Sequence, residues 1–212
     1  MFFASYDMSF LISFFILFSI LSIRKFIDRL KGEQIMKAYV DEALKALKNY
    51  DEDTYGHSIR VCQIALSIGR NMSLSKQEMD DLEEAALLHD IGKMTIPMSI
   101  LTKPSRLTDE EFAIMKTHAD AGYHMAKELS CSETVAEAIR DHHERFDGNG
   151  YAHRHGMGKL ARIICIADSY DAMHAKRRYD AARAKADVLV EISNCAGKQF
   201  DPDIAQVALK SL

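Results

Sequence analysis

Proline is scarce in this chain, three among 212 residues, and glycine is modest at ten. Few chain breakers leave room for helices. No alternating strand run stands out, and there is no internal repeat and no low-complexity tract, which argues against a sheet protein or a repeat array. None of the four cysteines (Cys62, Cys131, Cys165, Cys195) forms a C-x-x-C pair. Three sit among apolar residues in helical patterns, so they read as reduced core cysteines, not as a disulfide framework. The formal net charge of -4 gives no whole-chain case for a nucleic-acid polymer as partner.

Charge is also missing from Met8 to Ile23, a run bounded by Asp7 and by Arg24-Lys25. At about 1.5 Å per residue it spans about 24 Å, slightly short of a bilayer core of about 30 Å. Arg24 and Lys25 snorkel, so Phe26 and Ile27 extend the span. A cleaved signal peptide is the rival. It would want basic residues before the run and a small-x-small site after it; no Lys or Arg precedes Arg24, and the run ends in Ser-Ile-Arg-Lys. Residues 1–23 therefore read as a transmembrane anchor, 24–34 as a juxtamembrane connector and 35–212 as the functional domain. Arg24, Lys25, Arg29 and Lys31 all follow the span, which predicts a single pass through the cell membrane with the body in the cytoplasm.

The rest is punctuated by caps. A helix is expected over 35–49, with Ile35, Tyr39, Ala43 and Leu47 recurring near helical spacing. A second runs from near Tyr55 to Asn71. Ser75-Lys76-Gln77-Glu78 is a capping box that opens a third, ending near Asp90. Pro97 and Pro104 bracket a loop. Thr108-Asp109-Glu110-Glu111 opens a helix to about Leu129, and Ser132 opens one to about Glu144. Asp147-Gly148-Asn149-Gly150 is a turn, a helix covers Lys159 to His174, and further helices reach the C-terminus. The fold class is all-α, a helical bundle.

Polar residues share faces with the apolar stripes. His57 is followed by Val61, Ile64 and Ile68; His89 follows Leu82 and Ala86; His118 follows Met115; His142 follows Val135 and Ile139; Asp168 follows Leu160 and Ile164. One such histidine is ordinarily a satisfied core residue. Five coincidences point instead to a shared metal site. Buried carboxylates need a partner or a metal, and imidazole with carboxylate suits Fe, Mn or Zn. Asp90 projects about 100° from His89 on a helix, so it reaches between ions while His89 holds one.

At this point the chain resembles the HD-GYP family of the HD metal-phosphohydrolase superfamily over about residues 36–205. The likeness is carried by Thr54-Tyr55-Gly56-His57-Ser58, Ala86-Leu87-Leu88-His89-Asp90-Ile91-Gly92-Lys93, Ile96-Pro97, Ile100-Leu101-Thr102-Lys103 and His118-Ala119-Asp120-Ala121-Gly122. It continues through His142-His143-Glu144-Arg145-Phe146-Asp147-Gly148-Asn149-Gly150-Tyr151, Ala161-Arg162-Ile163, Ala167-Asp168-Ser169-Tyr170-Asp171-Ala172 and Gln199-Phe200-Asp201-Pro202. The resemblance implies an HD-domain bundle and a metal-dependent phosphodiesterase that hydrolyses cyclic di-GMP to pGpG or GMP in bacterial second-messenger signalling. It implies the ligands His57, His89, Asp90, His118, His142, His143 and Asp168, with Asp90 bridging, for two or three divalent ions, Fe or Mn first and Zn also admitted. His89, Asp90 and Lys93 would be catalytic, and Lys93 and Arg177 would contact substrate phosphate. The resemblance also admits a homodimer and diguanylate cyclase-type signalling partners.

Some of these residues have plainer readings. Some family members carry Glu at the position of Asp53 and bind a third metal with it; Asp53 also belongs to an acidic helix start with Asp51 and Glu52 that favours the helix dipole. Lys93 reads otherwise as a solvated helix-end lysine, and Arg177, within Lys176-Arg177-Arg178, as part of a charged face. His153, Arg154, His155 and His174 read as exposed loop residues. The family's Gly-Tyr-Pro is Gly150-Tyr151-Ala152 here, the loop from His153 to Lys159 is about three residues shorter than usual, and Asp180 replaces a basic residue. Losing that proline frees a φ angle and puts substrate fit and partner contacts in question. Two other functions stay in view: a membrane-tethered module that binds nucleotide or partner without turnover, and an HD phosphohydrolase for another nucleotide phosphoester.

Overall fold

Helix caps set the architecture of this protein, seen in a computed structural model that describes residues 37–151, 156–174 and 183–212. Ten helices and one 3-10 turn are present among them, with no strand beyond one isolated bridge between Ala196 and Phe200. The order is α1 (37–50), α2 (Glu52–Asn71), α3 (Lys76–Leu88), a 3-10 turn (Ile91–Thr95), α4 (Met98–Leu101), α5 (Asp109–Lys116), α6 (His118–Glu128), α7 (Glu133–Asp141), α8 (Lys159–His174), α9 (Lys185–Asn194) and α10 (Pro202–Ser211). Val40–Leu212 forms one compact unit. Among the described residues no helix is long and apolar enough to cross a membrane. The expected span and connector lie outside the described residues.

Several boundaries differ from the sequence expectation, each for a local reason. α2 begins at Glu52 instead of Tyr55 because Asp51 caps it, accepting from the Thr54 amide at 3.1 Å and the Thr54 hydroxyl at 2.6 Å. The Pro97–Pro104 stretch contains the short helix α4, whose first carbonyl, that of Pro97, accepts from Ile100 and Leu101. The expected helix from 108 to 129 is two helices. At Thr117 the hydroxyl donates to the Ile114 carbonyl at 2.7 Å, and the backbone amide turns to the same carbonyl. That local bond competes with the helical ladder and ends α5. The two capping boxes and the span of α8 agree with expectation.

The core is built around α8, which packs on α2, α3, α7, α9 and α10. Leu160, Ala161, Ile163, Ile164, Ile166 and Ala167 are all buried, so α8 is covered nearly all round. Leu82, Leu88, Val61, Ile68 and Ile139 fill the space against it from the neighbouring helices. Ile163→Ala is expected to cost roughly 2–5 kcal/mol, lost transfer energy plus a residual cavity. Urea denaturation of the metal-free protein would check this; a loss below about 1 kcal/mol would mean that the central helix is not tightly packed.

Candidate metal centre

Three histidines sit where helices stop. His89 follows the last residue of α3, His142 follows the last of α7, and His118 begins α6 just after the break that ends α5. A helix end leaves carbonyls without intrahelical partners. Each ring supplies one: Nδ1 of His89 donates to Ala86 O (2.8 Å), Nδ1 of His118 to Met115 O (2.7 Å) and Nδ1 of His142 to Ile139 O (2.6 Å). Because a carbonyl only accepts, the proton stays on Nδ1 and each Nε2 presents a lone pair inward. The 3-10 turn carries Asp90 and Lys93 against α6, an approach that Gly92 and Gly122 permit.

These Nε2 atoms surround Asp90, which is fully buried. Its Oδ1 lies 3.4 Å from His118 Nε2 and 4.0 Å from His142 Nε2. Its Oδ2 lies 3.4 Å from His89 Nε2 and 3.8 Å from His57 Nε2. Nε2 of His89, His118 and His142, together with Asp90 Oδ1, are buried and make no hydrogen bond. Four orphaned polar atoms converging on one point are costly in a closed apolar core. They fall into two groups that share Asp90: Asp90 with His118, His142 and His143, and Asp90 with His57 and His89. Asp168 joins the second group to the first, with Oδ1 2.9 Å from His57 Nε2 and Oδ2 3.8 Å from His143 Nδ1. A carboxylate whose two oxygens face separate imidazole sets is the donor arrangement that a pair of divalent ions takes.

The protonation states fit the same use. Burial pushes His142 well below its ordinary pKa, with its histidine neighbours adding to the effect. Burial likewise takes His143 down to about 3 and lowers His118. Burial opposes the charge on Asp90, yet Lys93 and His89 hold its carboxyl well below the usual range. Asp168 is held low in the same way by His57. Neutral imidazoles and ionised carboxylates are the ligand forms a metal needs.

His57 is the exception: burial works against its charge, but Asp168 and Asp171 raise its pKa. Asp171, one turn after Asp168 on α8, takes His57 Nδ1 at 2.6 Å and is itself clamped by Arg60 at 2.7 and 3.0 Å. This carboxylate–imidazole–site relay was not singled out from sequence, although the Asp168-to-Asp171 spacing on one helix face could have signalled it. Asp171→Ala is expected to weaken metal binding about 10–100-fold through loss of ring orientation. Competition titration with a chelator would measure it, and affinity equal to the parent's would remove Asp171 from the account.

The other expected residues fall as follows. Lys93 donates to Asp90 Oδ2 at 2.6 Å and is mostly covered, so it faces the cluster and not solvent. Asp53 is exposed in the first turn of α2, one turn before His57, and lies in the electrostatic field of Arg60. Arg177, Ala152, His153, Arg154, His155 and Asp180 lie outside the described residues. His174 is exposed, with Nδ1 3.2 Å from the Arg183 carbonyl. The loop after His143 is tied down from the far end of the sequence: the amides of Phe146 and Asp147 donate to Gln199 O (3.1 Å) and Lys198 O (2.8 Å). Tyr151 on that loop stacks on His143, centroids 4.4 Å apart. Beside the cluster opens a cavity of about 460 Å³, lined by His142, His143, Asp168, Tyr151, Phe112 and Lys116 among others. That size suits a small-molecule ligand.

The family profile described as HD domain matches residues 40–204. The chain belongs to the HD-domain family. It is 35% identical over 176 residues to a cyclic di-GMP phosphodiesterase of Pseudomonas aeruginosa, an alignment covering 80% of this chain and 42% of that protein. It is also 35% identical over 175 residues to a cyclic di-GMP phosphodiesterase of Thermotoga maritima, covering 80% of this chain and 48% of the relative. The chain thus spans less than half the length of these relatives. A crystal structure of a cyclic GMP-AMP-specific phosphodiesterase from Vibrio cholerae shares the fold, with a TM-score of 0.62 at 23% identity over 83% of this chain and 48% of that one.

Proposed function

We propose that the chain is a membrane-tethered, metal-dependent phosphodiesterase of the HD-GYP type that hydrolyses a cyclic dinucleotide, cyclic di-GMP first among them. One observation carries the reading: three buried imidazole nitrogens without hydrogen-bond partners converge around a carboxylate shared by two histidine groups. The relatives named as cyclic di-GMP phosphodiesterases support the substrate class. The uncharged run Met8–Ile23 and the basic residues after it support the tether and a cytoplasmic catalytic domain. Fe and Mn both suit the imidazole and carboxylate donors.

His57, His89, His118, His142 and His143 would hold two ions, with Asp90 between them and Asp168 closing the ring. In that place divalent ions would supply Lewis-acid charge and lower the pKa of a water at neutral pH. Lys93 keeps a cation beside Asp90, where charge develops on the phosphate oxygens. Tyr151 stacks on His143 and holds that ring in place at the cavity wall. Its phenol is pushed up to about 12 by burial, with Asp168 and Asp90 adding, so it stays neutral. Asp53, exposed one turn ahead of His57, is the residue a third ion would recruit.

The test uses the full chain, purified without oxygen, reconstituted with Fe(II) or Mn(II) and incubated with cyclic di-GMP. Chromatography of the products should show pGpG from the parent, and none from a His89→Ala/Asp90→Ala control. Release of GMP by the parent, lost in Asp53→Ala, would add the third ion. Bound metal without turnover of any cyclic dinucleotide would overturn the substrate assignment.

A further inference from the structure

The cavity beside the cluster is larger than one phosphodiester needs, and its outer wall has a chemistry of its own. Phe112 and Lys116 lie one turn apart on α5 and both line it. Phe112 is 43% exposed, a large apolar ring left partly open to water. It stands edge-to-face with Tyr151, centroids 5.9 Å apart and planes 84° apart. Tyr151 in turn stacks on His143. An aromatic series therefore leads from the metal-ligand histidines outward and ends in the partly exposed Phe112 ring at the mouth.

Lys116 is the second element. Two cations line the cavity among the described residues, Arg145 and Lys116. Arg145 is engaged by the Asp147 carboxylate through two hydrogen bonds of 3.0 and 2.8 Å. The Lys116 ammonium meets no carboxylate among the described residues; its contact is with the Phe112 ring, 5.6 Å from the centroid. A partly exposed ring and a cation that meets no carboxylate among the described residues, side by side at the open end of a phosphodiester site, match one nucleotide: a planar base and a monoanionic phosphate.

Resting on the phosphodiesterase reading above, we infer that Phe112 and Lys116 form the subsite for the half of the cyclic dinucleotide that is not being cut. The ligand carries two phosphodiesters. With one at the histidine–aspartate cluster, the other places its negative charge at Lys116, and the attached base lies on Phe112 in the corner made with Tyr151. Both residues are specificity-determining: they select a dinucleotide ring over a simple phosphodiester, and they take no part in bond cleavage.

The full-length protein loaded with Mn(II) would be titrated with a non-hydrolysable phosphorothioate analogue of cyclic di-GMP. Phe112→Ala and Lys116→Met are each expected to weaken binding about tenfold or more. Phe112→Trp and Lys116→Arg should stay near the parent. Metal content should not change in any of the four, nor should hydrolysis of bis(p-nitrophenyl) phosphate, a single phosphodiester without a base. Unchanged analogue affinity in both disruptive variants overturns the subsite and leaves the phosphodiesterase reading standing. Equal losses on the analogue and on the simple phosphodiester also overturn it, since the residues would then act only through the fold. A parent protein that cleaves the simple phosphodiester yet neither binds nor cleaves any cyclic dinucleotide overturns the substrate reading, and the subsite with it.

Discussion

Asp90→Ala is expected to empty both halves of the metal centre at once and, on the proposed function, to reduce phosphodiesterase turnover on the order of a thousandfold or more. The reason is geometric. Asp90 lies at the middle of both groups of donors, with one oxygen toward His118 and His142 and the other toward His89 and His57. Loss of a ligand held by one group alone would leave the other intact; loss of the shared carboxylate leaves neither. Thermal unfolding with and without metal provides a second readout. A ligand present at a thousand times its Kd stabilises a folded protein by about 4 kcal/mol. That gain should be present in the parent and absent in the variant. Elemental analysis showing two ions per chain in Asp90→Ala would remove the bridging role.

Gly92→Ala should be severely damaging for a single added methyl. A Cβ at Gly92 would land on the His118 carbonyl oxygen and come within 2.5 Å of the Gly122 amide nitrogen. Both obstacles are backbone, so no rotamer change relieves the clash, and the 3-10 turn must move away from α6. Overpacking of this kind costs about 3 kcal/mol or more. It also separates Asp90, carried by the turn, from His118, carried by α6. Metal affinity should therefore fall together with stability in urea denaturation. A Gly92→Ala protein with parental stability and metal affinity would show that the close approach of these two backbones is not what holds the site.

Much of the centre was legible in the sequence because its ligands lie on apolar stripes. His57 with Val61 and Ile68, or His142 with Val135 and Ile139, declare an inward face by spacing alone. The helix ends were not legible. α3, α5 and α7 stop at Leu88, Lys116 and Asp141, earlier than periodicity suggests, and each of those ends carries a ring N–H bond that no propensity encodes. The break at Thr117 turns on a hydroxyl bond to Ile114, which a threonine in a helical pattern does not announce. Asp171 was legible only as part of a motif, because its role behind His57 exists only once α8 is packed on α2, where His57 and Arg60 wait. Gly92 and Gly122 are thirty positions apart, and their mutual need is visible only when the two backbones touch.

The placement of three ligands at helix ends has a bearing on how this sequence can drift. One residue added within α3, α5 or α7 would turn the following histidine by about 100° and displace it by about 1.5 Å. Placed within the last three residues before the histidine, it would also cut the ring off from the carbonyl that now fixes its tautomer. Insertions and deletions inside these three short helices should therefore be lethal to the chemistry even where every ligand is kept. The same change in the connections after Asn71 or Leu129, which carry no ligand, should pass with little effect. In this molecule helix length is itself a coordinate of the metal centre, and selection on metal binding has to count residues as strictly as it chooses them.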